Sequence, residues 1–419
     1  MTTSSTDTEA APAEGPPPTF RRAWLVIVCL TLLNSIGMTV VFPVLPFVTL
    51  EYVDAGSLAL WVGVLESVNA LCAFLVAPLL GALSDRVGRR PVLIISAFGA
   101  AAAYAVFGVG GALWVLIAGR ALQGLCAGDM PAIFAYVADI TPAEDRTKRY
   151  GLLGALVGVG MMVGPAIGGV LAKLSLDAPV WATALTAVLV GLVSLVALPE
   201  SLAPQHRAAG LKLADLHPFK VLREAFGRPE LRLLLCGFTL VSVPFYFYAN
   251  NLSVLGRDTV GWGPTQIGLL LSIAGVLDIV IQGGLLALLL PRIGERGVVV
   301  SGIAAQALGC AGMALVAFSL DLPQLLAVAA LLFASGQGAM TAALDGLMSN
   351  SVREDEQGWL AGGISSIGSA IQLSAPLLAG WLYASAGHAT PYGLGFLMIV
   401  AAAVLLARAL PGSRRGAAG

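Results

Sequence analysis

The chain has 419 residues, of which 58% are hydrophobic and only 11% are charged. A water-soluble domain carries about 25% charged residues, so this composition excludes an ordinary soluble fold and indicates a protein whose solvent is lipid. The net charge of −1 also argues against a nucleic-acid partner, because such partners require a basic surface.

The predicted elements begin with residues 1–20, which are rich in Thr, Ser, Ala, Glu and Pro and are expected to form a disordered cytoplasmic tail. A helix that crosses the hydrocarbon core of a bilayer needs roughly 20 apolar residues. The sequence therefore predicts an all-α integral membrane fold. Twelve apolar runs are candidates, and we number them helices 1 to 12 in chain order: 23–47, 58–82, 91–109, 112–138, 150–174, 180–198, 231–255, 265–290, 297–318, 323–349, 359–385 and 390–410.

The segment 199–230 divides these helices into two groups of six. We expect an N-terminal six-helix bundle over 21–198, a cytoplasmic linker over 199–230, a C-terminal six-helix bundle over 231–410 and a cytoplasmic tail over 411–419. Within the linker, 213–226 is compatible with a surface amphipathic helix that begins near Pro218. The segment RIGER at 292–296 falls where RVGRR at 86–90 would fall in a second copy, which indicates pseudo-symmetric halves.

The basic residues set the expected orientation. Of the 23 Lys and Arg residues, Arg120 lies within a helix, Lys173 and Arg257 fall on one side of the membrane, and the other 20 fall on the opposite side. Because loops rich in Lys and Arg stay in the cytoplasm, both termini are predicted to be cytoplasmic.

The segment 81–90 reads GALSDRVGRR and places several charges between the long apolar runs of helices 2 and 3. It resembles the signature cytoplasmic loop of the major facilitator superfamily, G-x-x-x-D-R-x-G-R-R. The resemblance implies twelve helices in two six-helix halves, with a substrate site near the midplane between them. The defining positions are Gly81, Asp85, Arg86, Gly88, Arg89 and Arg90.

Further motifs resemble the twelve-helix drug:proton antiporter branch of that superfamily, and within it the bacterial tetracycline exporters. Helix 4 carries R-x-x-x-G from Arg120, helix 1 ends in FPVLP, and helix 6 ends in PES. Helix 5 carries a pattern like the antiporter motif of drug–proton exporters, for which glycine-mediated helix packing is the alternative interpretation. The residues of that pattern are Gly160, Gly164, Pro165, Gly168 and Gly169.

The charged segment between helices 2 and 3 is predicted to act as a conformational latch on the cytoplasmic face. Asp85 is expected to cap helix 11 near residues 358–360, because the exposed N–H groups of a helix N-terminus favour an anion. Arg89 is expected to pair with Asp139 at the end of helix 4. The alternative is a charge cluster that only fixes the orientation in the membrane.

Four carboxylates and one base fall within the predicted spans. A charge at the bilayer centre costs about 2.5–3.5 kcal/mol on insertion scales, so each should face a cavity or a partner. Arg120 is the buried base and could pair with Glu66 if their helix faces meet. The helical rise puts Asp129 about 13 Å along helix 4 from Arg120, too far for direct contact. The proton-coupling candidates are Asp129, Glu66, Asp278 and Asp345.

The sequence departs from the tetracycline exporters at two positions. In those proteins the positions matching Asn34 on helix 1 and Ala103 on helix 3 are carboxylates. Asn34 cannot carry a proton, so another acid carries it or the coupling differs. Asp129 is the first choice because helix 4 lines the cavity in this fold, and Glu66 is the second. For each acid alone, a structural hydrogen bond is an equal alternative.

The substrate pocket is less clearly marked. The run PFYFYANN at 244–251 of helix 7 combines aromatic faces with amides, which suits a flat amphipathic substrate. An interfacial aromatic belt is the alternative interpretation. The pocket candidates are Asn34, Gln123, Tyr246, Asn250, Gln337 and Met340.

The leading hypothesis is a monomeric secondary active transporter that exports small amphipathic compounds in exchange for protons across a bacterial cytoplasmic (inner) membrane. Its expected partners are the small-molecule substrate, protons and the lipid bilayer. Uptake of a metabolite, an uncoupled facilitator and a non-transport membrane sensor are the alternatives. An enzyme, a cofactor and a bound metal are not expected, because the sequence carries no nucleophile motif, no phosphate loop and no C-x-x-C pair among its five cysteines.

Overall fold

The computed structural model describes residues 18–207, 229–318, 321–353 and 356–409. Within these ranges eleven helices are long and apolar enough to cross a membrane. One of them, Pro264–Ala317, turns at Gly294, where φ is 68° and the backbone leaves the helical region. Counting this run as two spans brings the described total to twelve, and the all-α membrane fold is confirmed.

The helix bounds agree with the predicted runs to within several residues. Residues 18–20, which were predicted to belong to the N-terminal tail, form the start of helix 1. The amphipathic helix expected at 213–226 and the tail at 411–419 lie outside the described residues. The uninterrupted spans are helix 1 Pro18–Val40, helix 2 Leu58–Val87, helix 3 Arg89–Val109, helix 5 Ala143–Leu171, helix 6 Ala178–Ala197, helix 7 Pro229–Val260, helix 10 Pro323–Ser349, helix 11 Gln357–Ala386 and helix 12 Thr390–Ala409.

The connection between helices 2 and 3 is a single residue. Helix 2 continues to Val87 and helix 3 begins at Arg89, so only Gly88 lies between them. Its φ is 113°, a backbone conformation that residues with a Cβ rarely adopt. The charges of this segment are therefore held on rigid helix ends, where the sequence suggested a loop.

Helix 4 is interrupted, although the sequence predicted one continuous run. Its segments Leu113–Leu125 and Asp129–Ile140 are separated by Cys126, Ala127 and Gly128. A Cβ at position 128 would lie 2.8 Å from Leu80 and 2.9 Å from Ser96, so the break is packed tightly against helices 2 and 3. The break gives the second segment its own N-terminus within the membrane, and Asp129 is its first residue.

Helices 8 and 9 form the run that turns at Gly294. Helix 8 starts as Pro264–Val280 and passes through a π-helical segment, Ile281–Leu285, into Leu286–Ala317. Helix 9 is the part of that last segment beyond Gly294. A π-helical turn inside an α-helix is often found at a functional position, and this one begins three residues after Asp278.

The two halves pack as separate bundles. In the N-terminal half, helix 1 lies against helices 5 and 6, and helix 3 lies against helices 4 and 6. In the C-terminal half, helix 9 lies against helix 10, and helix 7 lies against helix 12. The halves meet through helices 2 and 11 and through helices 5 and 8.

Close contacts between the halves lie toward the side of the membrane on which helices 2, 8 and 12 begin. There the Thr265 hydroxyl of helix 8 donates to the carbonyl of Gly169 on helix 5 at 2.8 Å. In the middle of helix 5, Gly158 is in van der Waals contact with Ile279 of helix 8, whereas a Cβ at Gly151 or Gly154 would meet nothing within 4 Å among the described residues. The molecule is therefore closed on one side and open toward the side that carries Gly88.

Candidate functional site

A cavity of about 80 Å³ lies within the N-terminal half, between helices 1, 2, 3, 4 and 6. Its apolar walls include Leu33, Met38 and Val190. Polar groups interrupt these walls, so the cavity suits a ligand with both apolar and polar parts. The polar side chains that line it are Asn34, Asn69, Tyr104, Gln123, Asp129, Thr183 and Thr186.

Asp129 lies in this cavity at the N-terminus of the second segment of helix 4. Asn34 of helix 1 lines the same cavity. The N-terminus of a helix favours an anion. The sequence singled out Asn34 and Asp129 separately, and the structure places both on the wall of one cavity.

Glu66 and Arg120 form a buried ion pair between helices 2 and 4. The Arg120 guanidinium donates to the Glu66 carboxylate at 2.8 Å, which confirms the predicted pairing. Arg120 is only 4% exposed, and its guanidinium lies 5.6 Å from the ring centre of Phe107. It also donates to the side-chain oxygen of Gln123 at 3.0 Å. Arg120 is thus held by Glu66 and Gln123.

Gln123 and Tyr104 connect the ion pair to the cavity. The Gln123 amide donates to the Tyr104 hydroxyl at 2.7 Å, and both side chains line the same cavity as Asp129. The charge of Arg120 is balanced by Glu66, whereas Asp129 takes part in no ion pair among the described residues. The cavity wall therefore carries one negative charge that no base balances.

The acids of the C-terminal half lie apart from this cavity. Asp278 accepts a hydrogen bond from Gln282 at 2.8 Å, one turn along helix 8, and it faces Gly338 on helix 10. Asp345 is an exposed residue near the end of helix 10. The structure therefore separates Asp278 and Asp345 from Asp129 and Glu66, which share one polar region.

The other pocket candidates lie away from the described cavity. Asn250 is 6% exposed and donates to Asn251, which in turn donates to the carbonyl of Ala379 at 3.1 Å and ties helix 7 to helix 11. Met340 is fully buried against helix 9. Neither side chain lines the cavity around Asp129, so their place in a substrate pocket stays a prediction.

Tyr246 and Gln337 occupy intermediate positions. Tyr246 is partly buried and meets the ring of Phe245 edge-on at 5.5 Å. Gln337 accepts from the fully buried Gln306 and donates to Thr341 at 3.1 Å on its own helix. Neither side chain lines the cavity around Asp129, so their place in a substrate pocket stays a prediction.

The charged segment between helices 2 and 3 forms a network at the open side. Arg89 donates to Asp139 at 3.1 Å, which confirms that predicted pair, and it also pairs with Asp85 on the preceding turn. The Ser201 hydroxyl donates to Asp139 at 2.9 Å. The cap that Asp85 is expected to make on helix 11 involves positions 358 and 359, whose side chains are outside the described set, so it stays a prediction.

Glu200 is a member of this network that the sequence did not assign. Its carboxylate accepts from the backbone N–H of Arg89 at 2.8 Å and of Arg90 at 3.3 Å, at the N-terminus of helix 3. It also lies directly against Gly88, so a Cβ at position 88 would overlap its carboxylate. The PES motif at the end of helix 6 drew attention to Glu200 in the sequence, but it did not show that Glu200 binds the N-terminus of helix 3.

The glycines of helix 5 let three helices approach closely. Gly160, Gly164 and Gly168 face helix 1, and the Thr39 hydroxyl of helix 1 donates to the carbonyl of Gly160 at 2.9 Å. Gly169 faces helix 8 of the other half, 2.9 Å from a Pro264 oxygen at its Cβ position. The motif therefore packs helix 5 both within its own half and against the other half.

Two six-helix bundles that meet through helices 2 and 11 and helices 5 and 8, with a polar cavity inside the N-terminal bundle, have the architecture of a secondary transporter. The sequence comparison agrees, since the model of the Major Facilitator Superfamily matches residues 27–371. The chain belongs to the Major Facilitator Superfamily.

Proteins of similar sequence match this chain over nearly its whole length. The class C tetracycline resistance protein of Escherichia coli is 36% identical over 94% of this chain and 97% of its own length. The class G protein of Vibrio anguillarum is 32% identical over 92% of this chain and 96% of its own length. The crystal structure of the human organic anion transporter MFSD10 (TETRAN) matches with a TM-score of 0.65 at 24% identity, over 93% of this chain and all of that one, and supports the fold alone.

Proposed function

We propose that this protein exports small amphipathic compounds in exchange for protons, by alternating access between its two halves. The similarity to tetracycline resistance proteins over almost the full length supports export of a drug-like compound. We further propose that it acts as a monomer in a bacterial cytoplasmic membrane, with both termini in the cytoplasm. The 20 Lys and Arg residues on one side support this orientation.

The place of Asp129 in the cavity carries the proposal. The N-terminus of the second segment of helix 4 favours the ionised carboxylate, whereas apolar surroundings within the membrane favour the protonated acid. These opposing effects suit a group that takes up and releases a proton as the cavity changes its access. The amide of Asn34 serves both states, because its NH₂ group donates to a carboxylate and its carbonyl oxygen accepts from a carboxylic acid.

Glu66 is less suited to carry the proton. Protonating it would leave the guanidinium of Arg120 buried without a counter-charge, and an unbalanced buried charge costs several kcal/mol. We assign the Glu66–Arg120 pair a structural role, fixing helix 2 against helix 4 beside the cavity. We therefore assign Asp129, and not Glu66, as the residue that carries the proton.

Alternating access follows from the one-sided contact of the halves. In the orientation that we propose, the described state opens to the cytoplasm and is closed on the outside by the contact of helix 5 with helix 8. Closing the cytoplasmic side would bring the latch residues Asp85 and Arg89 toward helix 11. Uptake of a metabolite by the same cycle remains the alternative, which the antiporter-like pattern of helix 5 disfavours.

Everted membrane vesicles from a host without its main efflux pumps provide the test. With an imposed pH gradient, wild-type vesicles should accumulate a compound from a panel that includes tetracycline. The Asp129→Asn variant should lose gradient-driven accumulation, and Asp345→Asn, the same substitution at an exposed site, should retain it. Accumulation by the Asp129→Asn vesicles at the wild-type level would overturn the assignment, and no accumulation of any compound by the wild type would overturn export.

A further inference from the structure

A chain of hydrogen bonds runs from the buried ion pair to the cavity wall, and chemistry fixes its direction. The Arg120 guanidinium donates to the Glu66 carboxylate at 2.8 Å and to the side-chain oxygen of Gln123 at 3.0 Å. Because a guanidinium only donates, the Gln123 atom that faces Arg120 has to be the oxygen. The Gln123 NH₂ group therefore points to the other side, where it donates to the Tyr104 hydroxyl at 2.7 Å.

The hydroxyl of Tyr104 is the last member of this chain. It accepts from the Gln123 NH₂ group, which cannot take the hydroxyl proton in return. Within the described part of the chain, no group accepts a hydrogen bond from Tyr104. This residue is 6% exposed and lines the cavity. A buried donor without an acceptor is costly, so the Tyr104 proton is available to an acceptor inside the cavity.

We propose that Tyr104 is a specificity-determining residue that donates its hydroxyl proton to an acceptor oxygen of the substrate. Gln123 is the positioning residue that fixes the direction of this bond. The inference rests on the proposed function and names a chemical feature of its substrate, an apolar framework with a carbonyl or similar oxygen on one edge. A cavity of about 80 Å³ holds one such edge of a drug-sized compound, and its apolar walls suit the adjoining framework.

The polarity of this position discriminates among substrates. An empty cavity of this size admits water, which can accept the Tyr104 proton. A substrate with a carbonyl oxygen here replaces that bond. A substrate with an N–H group here leaves the Tyr104 proton unpaired, and one with no polar group displaces the water without replacing its bond. Both therefore bind more weakly.

Three flat probes of nearly equal shape test the inference. 9-Fluorenone carries a carbonyl acceptor, carbazole carries an N–H donor, and fluorene carries neither. The full-length protein purified in detergent should bind 9-fluorenone about fivefold more tightly than either of the others, the usual effect of one hydrogen bond. With a carbon-13-labelled carbonyl, the infrared spectrum of bound 9-fluorenone should show a carbonyl stretch at lower frequency than the same probe in protein-free micelles.

Three variants separate the hydrogen bond from general packing. Tyr104→Phe should lose both the preference and the frequency shift. Tyr150→Phe, the same substitution at the start of helix 5 outside the cavity, should keep both. Gln123→Glu should lose the shift at pH 9 although Tyr104 is intact, because an ionised carboxylate accepts the Tyr104 proton itself. A Gln123 that only filled space would leave the shift unchanged.

Each outcome decides for or against the inference. It is overturned if the wild type shows no saturable binding of 9-fluorenone, if the shift persists in Tyr104→Phe or in Gln123→Glu at pH 9, or if Tyr150→Phe loses it as well. Gradient-driven transport of a panel compound by a protein that fails these tests would leave the proposed function standing. A Tyr104-dependent shift in a protein that transports nothing would leave the binding site and remove the exporter.

Discussion

The carboxylate of Glu200 accepts the backbone N–H of Arg89 at 2.8 Å, so the end of helix 6 closes the first turn of helix 3. Arg89 in turn donates its side chain to Asp139 at the end of helix 4. Arg89 therefore links the latch segment to helix 6 through its backbone and to helix 4 through its side chain.

Removing the Glu200 carboxylate is expected to loosen this junction. Glu200→Ala should lower the stability of the protein by about 1 kcal/mol, the usual effect of losing a helix N-terminal acceptor. Glu200→Gln should lower the stability by less, because its amide oxygen can still accept one hydrogen bond from the N-terminus of helix 3. Thermal unfolding in detergent gives the measurement, with the exposed Glu51→Ala as the control. Equal melting temperatures for all three variants would contradict a capping role.

The buried pair of Glu66 and Arg120 makes a prediction about single and double variants. Glu66→Gln or Arg120→Gln alone should destabilise the protein by about 3–5 kcal/mol, since each leaves a buried charge without its partner. The double variant Glu66→Gln with Arg120→Gln should be more stable than either single variant. Yield and melting temperature after purification measure this order. Additive losses in the double variant would contradict the pairing argument.

The glycines of helix 5 should differ sharply in their tolerance of a methyl group. Gly164→Ala would push a Cβ into Thr39 and the backbone of helix 1, and such overpacking typically costs 1–3 kcal/mol. Gly154→Ala adds its Cβ to open space and should be neutral or slightly stabilising, because alanine favours the helix. The melting temperatures of the two purified variants test this difference. An equal decrease in both would mean that the packing at Gly164 is no tighter than at Gly154.

Hydropathy and one motif were enough to predict the fold, because a membrane span needs a long apolar run and the charged segment at 81–90 marks a helix connection. The Glu66–Arg120 pair was also predictable, since their depths along two helices match. The place of Asp129 at a helix N-terminus was not, because it depends on the break in helix 4, and the sequence Cys126-Ala127-Gly128 contains no proline that would mark it. The burial of Asn250 and Met340 was also not predictable, because a helix that is apolar all round does not show which face meets the core.

The proposed orientation is tested by reporter fusions along the chain. Fusions at residues 88, 147, 215 and 355 should report the cytoplasm, and fusions at 54 and 258 should report the outside. The physical reason is the concentration of Lys and Arg on one side of the membrane. An outside signal at residue 215 would contradict the cytoplasmic linker between two six-helix halves.

The last prediction concerns Asn34, which lines the same cavity as Asp129 and occupies the position of a carboxylate in the tetracycline exporters. Asn34→Asp would place a second carboxyl group in this cavity, and like charges that lie close together oppose each other's ionisation. The pair should share one proton and release it only at a higher pH, so the pH optimum of export should move upward by about one unit or more. Export by everted vesicles, measured from pH 6 to 9, gives the profile.

A matched change of the same helix separates this effect from general damage. Thr31→Val lies one turn away on helix 1, where its hydroxyl donates only to the carbonyl of Ile27, and it should leave the pH profile unchanged. Asn34→Ala removes the donor and should reduce the rate at the pH optimum. If Asn34→Asp keeps the wild-type profile while Asn34→Ala lowers the rate, Asn34 shapes the cavity but does not govern the protonation of Asp129. Proton coupling would then have to reside with another acid, such as Asp278, which lies beside the π-helical segment of helix 8.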